Sequence, residues 1–412
     1  MNIYLLSQHS LGVGHLSRTS LLAGEIARIP GVSVIHISCG PSTGIVPSQP
    51  DVLLVELPPL IVKGLSSIEL VPVEQGKTKE EVEKERVGVI ETLFRRHPPD
   101  MFITEFFPFS PHRLDGTVLP VLRTIKERHP TCTIVCSSRD IPVCHGEALP
   151  PEKVASIASI FNAYYDLLLV HSDPALLKLT DIPKYRGLRL SCPVVYTGYI
   201  CERRSTASPR DKADGRILVT VGGGRDGQRT IDCALKVAGL GKGYRFDIVC
   251  GPFMEKGTVD AMSRGVAHLE NVQVHWYVRN LKETIVGYDL VICSGGYNTL
   301  METIVRRKRC ISVPRRGSYE QGKRVKVFSR KQLLRSIAES RLTVRRLSRL
   351  IDEAFAEDYE PAFRINTDGL KNTVASIENW QSCGAKSGSG DPGRSGSIWP
   401  ASGRSLTPSR RI

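Results

Sequence analysis

NIYLLSQHSLGVGHLSR, residues 2–18, and RILVTVGGGRDGQRTIDCAL, residues 216–235, open the two halves of the chain on one pattern: an apolar run, a glycine-rich turn and the start of a helix. Short, continuous apolar runs of this kind suit parallel strands buried on both faces, and the glycine turn is the exit of a β-α unit. Outward from the first opening come a helix near 15–27, the strand VSVIHIS, a strand DMFIT, a helix near 118–126, the strand CTIVCSS, a helix near 154–164 and the run LLLVHS. The second opening leads to a helix over 228–238, YRFDIVCG, a helix near 255–264, NVQVHWYV, DLVICSGG, a helix over 299–307 and CISVP. The expected fold is α/β, with two Rossmann-like domains, 1–198 and 216–381, whose parallel sheets face each other across a cleft. Residues 199–215 read as a polar linker. The Gly-, Ser-, Pro- and Arg-rich stretch 382–412 reads as a disordered tail. Segment 74–86, EQGKTKEEVEKER, reads as a solvated helix face or a loop.

Composition agrees with two soluble domains: 412 residues, 41% hydrophobic and 24% charged. No apolar run approaches the roughly 18 residues of a membrane span, and the N-terminus lacks a secretory leader, so a cytoplasmic protein is expected. The cysteines are scattered singly, without zinc spacing or a disulfide framework, and Cys132 and Cys136 fall on one face of a strand as core residues do. The 56 Lys and Arg against 42 Asp and Glu give a net charge of +14 and favour acidic partners. The basic run 306–309 ends a helix, where cations complement the dipole, and no aromatic-interleaved basic patch accompanies it, so no nucleic-acid partner is expected.

Three motifs carry chemistry. Gly12-Val-Gly14-His15 fits a dinucleotide turn, but the second strand ends Ile37-Ser38-Cys39-Gly40, without the acid that would hold ribose hydroxyls. The stretch 293–302, CSGGYNTLME, follows a strand and enters a helix, so glycine N–H groups and the positive helix end converge on an anion site. The turn Gly222-Gly223-Gly224 lets another backbone or a diphosphate come close. A GKT occurs at Gly76-Lys77-Thr78, but position 71, where a nucleotide-triphosphate loop has its first glycine, is Val; no D-x-D occurs, and neither metal nor cofactor is expected.

GVGHLSR, VVYTGYI, VTVGGG, WYVRNL, SGGYNTLMET and YEQ, in this order, resemble a GT-B glycosyltransferase, and the C-terminal half resembles glycosyltransferase family 28, which includes the N-acetylglucosaminyl transferase that makes lipid II. TEFFPF, SSRD, VHSDP and GGYNT are shared with a bacterial group of predicted glycosyltransferases, the closest resemblance, over roughly residues 1 to 330. The resemblance implies an inverting, metal-independent transfer of a sugar, of N-acetylhexosamine type, from a UDP-sugar or other nucleotide sugar to a hydroxyl acceptor. That acceptor can be lipid-linked, with weak contact to an anionic membrane.

Residue by residue, it implies that Glu302 holds ribose hydroxyls, that Gly295, Gly296, Asn298 and Thr299 surround the diphosphate, that the Val278 backbone meets the base, and that Glu320 and Gln321 hold sugar hydroxyls. Alternatives stay open: Thr299 and Glu302 fit a capping box, and Glu320 fits a surface pair with Lys323 or Arg324. Arg225 either neutralises diphosphate or faces solvent. His15 is the candidate base, since an imidazole titrates near neutrality, and its alternative is a cap or diphosphate contact. Gly12, Gly14 and Arg18 share its turn, and Glu105 and Asp140 close strands at the same sheet edge, as acceptor contacts, partners in the base role or N-caps. His9 reads as a loop residue. Two other functions use the same residues: a nucleotide-sugar hydrolase of the pseudaminic-acid type, with a similar GxGHxxR turn, and a non-catalytic nucleotide-sugar binder.

Overall fold

Apolar runs such as Ile3–Leu6 and Leu167–Val170 have no polar face to offer water, so each must be covered on both sides, and helices on both faces of a parallel sheet do this. The computed structural model describes residues 1–8, 14–42, 44, 49–62, 69–109, 114–142, 151–185, 187–202, 214–224, 226–357 and 363–384. The chain divides into two compact units, Met1–Val374 and Ala375–Ile412. The first unit holds both sheets, each forming one lobe.

The first lobe runs β1 (Asn2–Ser7), α1 (Gly14–Ile26), β2 (Ser33–Ser38), β3 (Val52–Glu56), β4 (Leu60–Val62), β5 (Leu70–Pro72), α2 (Lys79–Arg96), β6 (Met101–Glu105), α3 (Asp115–Arg128), β7 (Thr133–Arg139), α4 (Pro151–Tyr164), β8 (Leu167–His171) and β9 (Val194–Tyr196). The second runs β10 (Arg216–Thr220), α5 (Gln228–Ala238), β11 (Arg245–Val249), α6 (Lys256–Gly265), β12 (Val272–His275), α7 (Leu281–Thr284), β13 (Leu290–Cys293), α8 (Tyr297–Val305), β14 (Arg309–Ser312), α9 (Tyr319–Arg330), β15 (Arg335–Ser336) and α10 (Val344–Ala356). The helix α11 (Gly369–Gly384) follows, its residues divided between the two units. The sheet orders are β3-β2-β1-β6-β7-β8-β9 and β12-β11-β10-β13-β14-β15, with every pairing parallel, while β4 and β5 form a separate antiparallel pair. The strand order reverses between β1 and β6 and between β10 and β13. In such sheets a crevice opens beyond the strand ends at that point, and the start of α1 at Gly14 and the glycine turns after β10 and β13 lie at these two places.

The charged segment 74–86 is largely exposed, and its helical part also has a buried side. Thr78 and Glu81 form a capping box that starts α2, and Val82, Glu83 and Arg86 on its first turns are buried. Arg86 donates to Pro58 O and Cys39 O at 2.7 and 2.6 Å, clamping the chain that leaves β2. Ser382–Gly384, expected in the tail, close α11. The remainder of the tail, 385–412, and the linker residues 203–213 lie outside the described residues.

Candidate active site between the two lobes

His15 lies in the first turn of α1, where its Nδ1 donates to Glu105 Oε1 at 2.7 Å. Arg18, one turn on, donates to the same oxygen, and Glu105 is the last, buried residue of β6. Burial alone would raise the Glu105 carboxyl, but His15, Arg18 and Arg139 bring it down to about 2. An ionised carboxylate only accepts, so Nδ1 carries the ring proton and Nε2 keeps its lone pair, without a partner among the described residues. Burial lowers the imidazole below 6.5; Glu105 opposes this, while Arg139 and Arg18 add to it. The side chain is still 26% exposed. A neutral imidazole with one free nitrogen at a solvent-reached surface is competent as a base at pH 7. Phe106, which follows Glu105, sits at φ +68°, a region where a bulky residue is strained, and turns its ring edge toward His15 at 5.6 Å.

The second lobe contributes the start of α8. No side chain caps this helix at Gly296, so its first N–H groups are left without a side-chain cap, and nothing lies within 4 Å of the place a Gly296 Cβ would take. Asn298 donates from Nδ2 to Gly14 O at 3.1 Å, joining the first turns of α8 and α1. The neighbouring glycines have another reason to be glycine. Gly295, at φ +80°, would put a Cβ 2.6 Å from Val325 Cγ2, and Gly224, at φ +87°, would put one 2.4 Å from Cys250 O. Of the two uses read for Gly222-Gly223-Gly224, close approach of another backbone is the one Gly224 serves. Gly223 O accepts from Phe253 N, and Gly222 is exposed.

An ion-pair chain crosses between the lobes. Arg324, fully buried on α9, donates Nε and Nη2 to the two oxygens of Asp140, both at 2.6 Å, Nη1 to Gly295 O at 3.1 Å, and Nη2 also to Glu320 at 2.6 Å. Arg139, the last residue of β7, reaches the same Glu320 oxygen from the first lobe at 3.0 Å. Burial opposes ionisation of Glu320, yet Arg139 and Arg324 hold it at about 2. Tyr297, at the start of α8, accepts from Ile200 N at 2.8 Å and donates to His171 O at 3.2 Å. The guanidinium groups of Arg18 and Arg324 each lie 5.5 Å from its ring centre.

Several sequence expectations change. Asp140 is no acceptor contact or N-cap, because its carboxylate is spent, fully buried, on Arg324. Arg18 and Glu105 are buried behind His15 and act on it instead of lining the cleft. The capping box of Thr299 and Glu302 does not form: α8 starts at Gly296, the Thr299 carbonyl accepts from Thr303 Oγ1, and Glu302 pairs with Arg306 one turn on. Burial raises the Glu302 carboxyl, against the pull of Arg306. Glu320 does pair with Arg324, one turn on along α9, but largely buried and not at the surface, and it also pairs with Arg139 of the first lobe. Gln321 gives its side-chain oxygen to Arg315 N at 3.0 Å, and Val278 is half-buried between β12 and α7. Gly12, Arg225 and His9 lie outside the described residues. Sequence reasoning assigned no role to Tyr297, Phe106 or Arg139. The last two stand beside residues it did single out, in TEFFPF and SSRD.

Among the described residues, no group of three or more His, Cys, Asp and Glu is placed to hold a metal ion, and no helix is long and apolar enough to cross a membrane.

Residues 216–378 match the glycosyltransferase family 28 C-terminal domain. No curated protein is significantly similar to the chain in sequence. Solved structures with a similar fold include CalG4, the calicheamicin glycosyltransferase (14% identity, TM-score 0.61, covering 93% of this chain and 98% of that one). TcCGT1 in complex with UDP (12%, 0.60, 93% and 99%) and MurG of Acinetobacter baumannii (12%, 0.55, 92% and 99%) are similar over equally long stretches. With the domain match over 216–378 and this fold along nearly its whole length, the chain has the GT-B fold and its second lobe is similar to the glycosyltransferase family 28 C-terminal domain.

Proposed function

We propose that the protein moves a sugar from a UDP-sugar to a hydroxyl acceptor with inversion at the anomeric carbon, His15 taking the acceptor's proton. The observation that carries this reading is the His15–Glu105 pair beside the uncapped start of α8, with Asn298 joining the two helix starts. A UDP complex of a protein with this fold, TcCGT1, supports the choice of nucleotide.

The diphosphate of the donor lies at Gly296, Asn298 and Thr299, where N–H groups and the helix dipole offset the charge of the leaving group without a metal. Glu302 and Val278 serve the nucleoside, with Arg306 holding the Glu302 carboxylate in place. The acceptor hydroxyl donates to His15 Nε2. Its oxygen attacks the anomeric carbon as the bond to the diphosphate breaks, its proton passes to Nε2, and UDP departs. Glu105, still ionised, stabilises the imidazolium that results, and Arg18 keeps Glu105 in place.

A thermal-shift screen of nucleotides and nucleotide sugars tests the donor, since a bound ligand raises apparent stability by mass action. UDP and at least one UDP-sugar are expected to raise the melting temperature, and no shift with any uridine nucleotide overturns the choice. UDP release is then followed with and without hydroxyl acceptors. Slow leakage without acceptor, accelerated by one acceptor class, agrees with transfer; fast, complete release into water would make the protein a hydrolase.

A further inference from the structure

Arg139 has donors that its ion pair leaves unused. Among the described residues its bond to a carboxylate is Nη1 to Glu320 Oε1, the oxygen that Arg324 also holds from the second lobe. Its guanidinium lies over the Phe106 ring, 5.0 Å from the centre, on the residue whose backbone is strained to φ +68°. Its Nε is buried without a partner, and Nη2 is left unbonded among the described residues. Both bonds to Glu320 fall on Oε1, leaving Oε2 as an acceptor. The Arg139 and Glu320 side chains keep 15% and 14% of their surface exposed, so this spare donor and spare acceptor, side by side between the lobes, meet the cleft.

We infer that Arg139 is a donor-sugar contact supplied by the first lobe, acting with Glu320 as a specificity-determining pair. A polyhydroxylated ring offers both donors and acceptors along one edge. A carboxylate that accepts beside a planar guanidinium that donates is the complement of two adjacent sugar hydroxyls, and charged partners make these bonds stronger than neutral ones. An ionised diphosphate oxygen has no proton to give a carboxylate. The sugar then touches both lobes, while UDP touches mainly the second. The inference rests on the donor reading given above.

The test is titration calorimetry of UDP and of the UDP-sugar that the thermal screen selects, with wild-type protein and with Arg139→Met, which keeps the stem over Phe106 and removes every donor. The expected result is a UDP affinity within about twofold of wild type and a UDP-sugar affinity lowered about ten- to a hundredfold. A deoxy analogue of the sugar missing the contacted hydroxyl should bind wild type and variant alike. Equal weakening of UDP and UDP-sugar would make Arg139 a lobe fastener, and unchanged binding of both would make it a bystander; either overturns the sugar contact. A wild-type protein that binds no UDP overturns the donor reading, and the sugar contact with it.

Discussion

At the residue scale, one histidine is neutral because it is largely buried, and oriented because a carboxylate beneath it cannot be protonated near neutrality. Its lowered pKa fixes the pH dependence. Imidazole is the active form, so kcat/KM should be level above neutrality and fall with unit slope as pH drops through a value below 6.5. A profile breaking above 7 would assign the base elsewhere. Glu105→Gln removes the charge that opposes the lowering. Its acid limb should therefore move to still lower pH while the rate falls by roughly 10²- to 10⁴-fold, as an orienting carboxylate is lost. A slower enzyme with an unmoved limb would leave Glu105 a packing role only.

At the scale of elements, the β-α alternation was legible because buried parallel strands leave short apolar runs that no other arrangement explains. The glycines were less so. Sequence gives Gly295 and Gly296 the same face, whereas their surroundings separate them: Gly295 is fixed by its φ and by Val325, and Gly296 borders open space. Gly295→Ala should cost about 1–3 kcal/mol in urea unfolding. Gly296→Ala should change stability by less than about 0.5 kcal/mol yet weaken UDP binding, because the new methyl group enters the phosphate position. Equal losses of stability at both would refute the distinction. The buried side of segment 74–86 was not legible for a related reason. Its charges dominate the composition, but burial of Arg86 depends on two carbonyls, Cys39 and Pro58, that are remote in sequence.

At the scale of the whole molecule, the bridge between lobes joins residues too far apart in sequence for any local pattern to pair them. Asp140 and Arg324 are 184 positions apart, and Tyr297 bonds a carbonyl 126 positions away. Two acids of the bridge neighbourhood carry the same linkage sign. Glu105 and Glu320 are depressed from 4.5 to about 2, so the stability they contribute is complete above pH 4.5 and is lost as pH falls toward 2. Small-angle scattering is expected to show the lobes separating in that window and not at pH 5 to 7. Asp140→Ala leaves the Arg324 charge buried with only Glu320 for company and should cost about 3–5 kcal/mol. A melting curve unchanged from wild type would refute this weight on the bridge.

The central claim is that one proton, moved by His15, separates a donor-binding protein from a transferase. Its most direct test is His15→Ala, with UDP-sugar affinity and UDP release in the presence of acceptor measured on the same preparation. The account predicts a donor Kd within a few-fold of wild type and a release rate lower by about 10²- to 10⁴-fold. Release at the wild-type rate with donor still bound would contradict it.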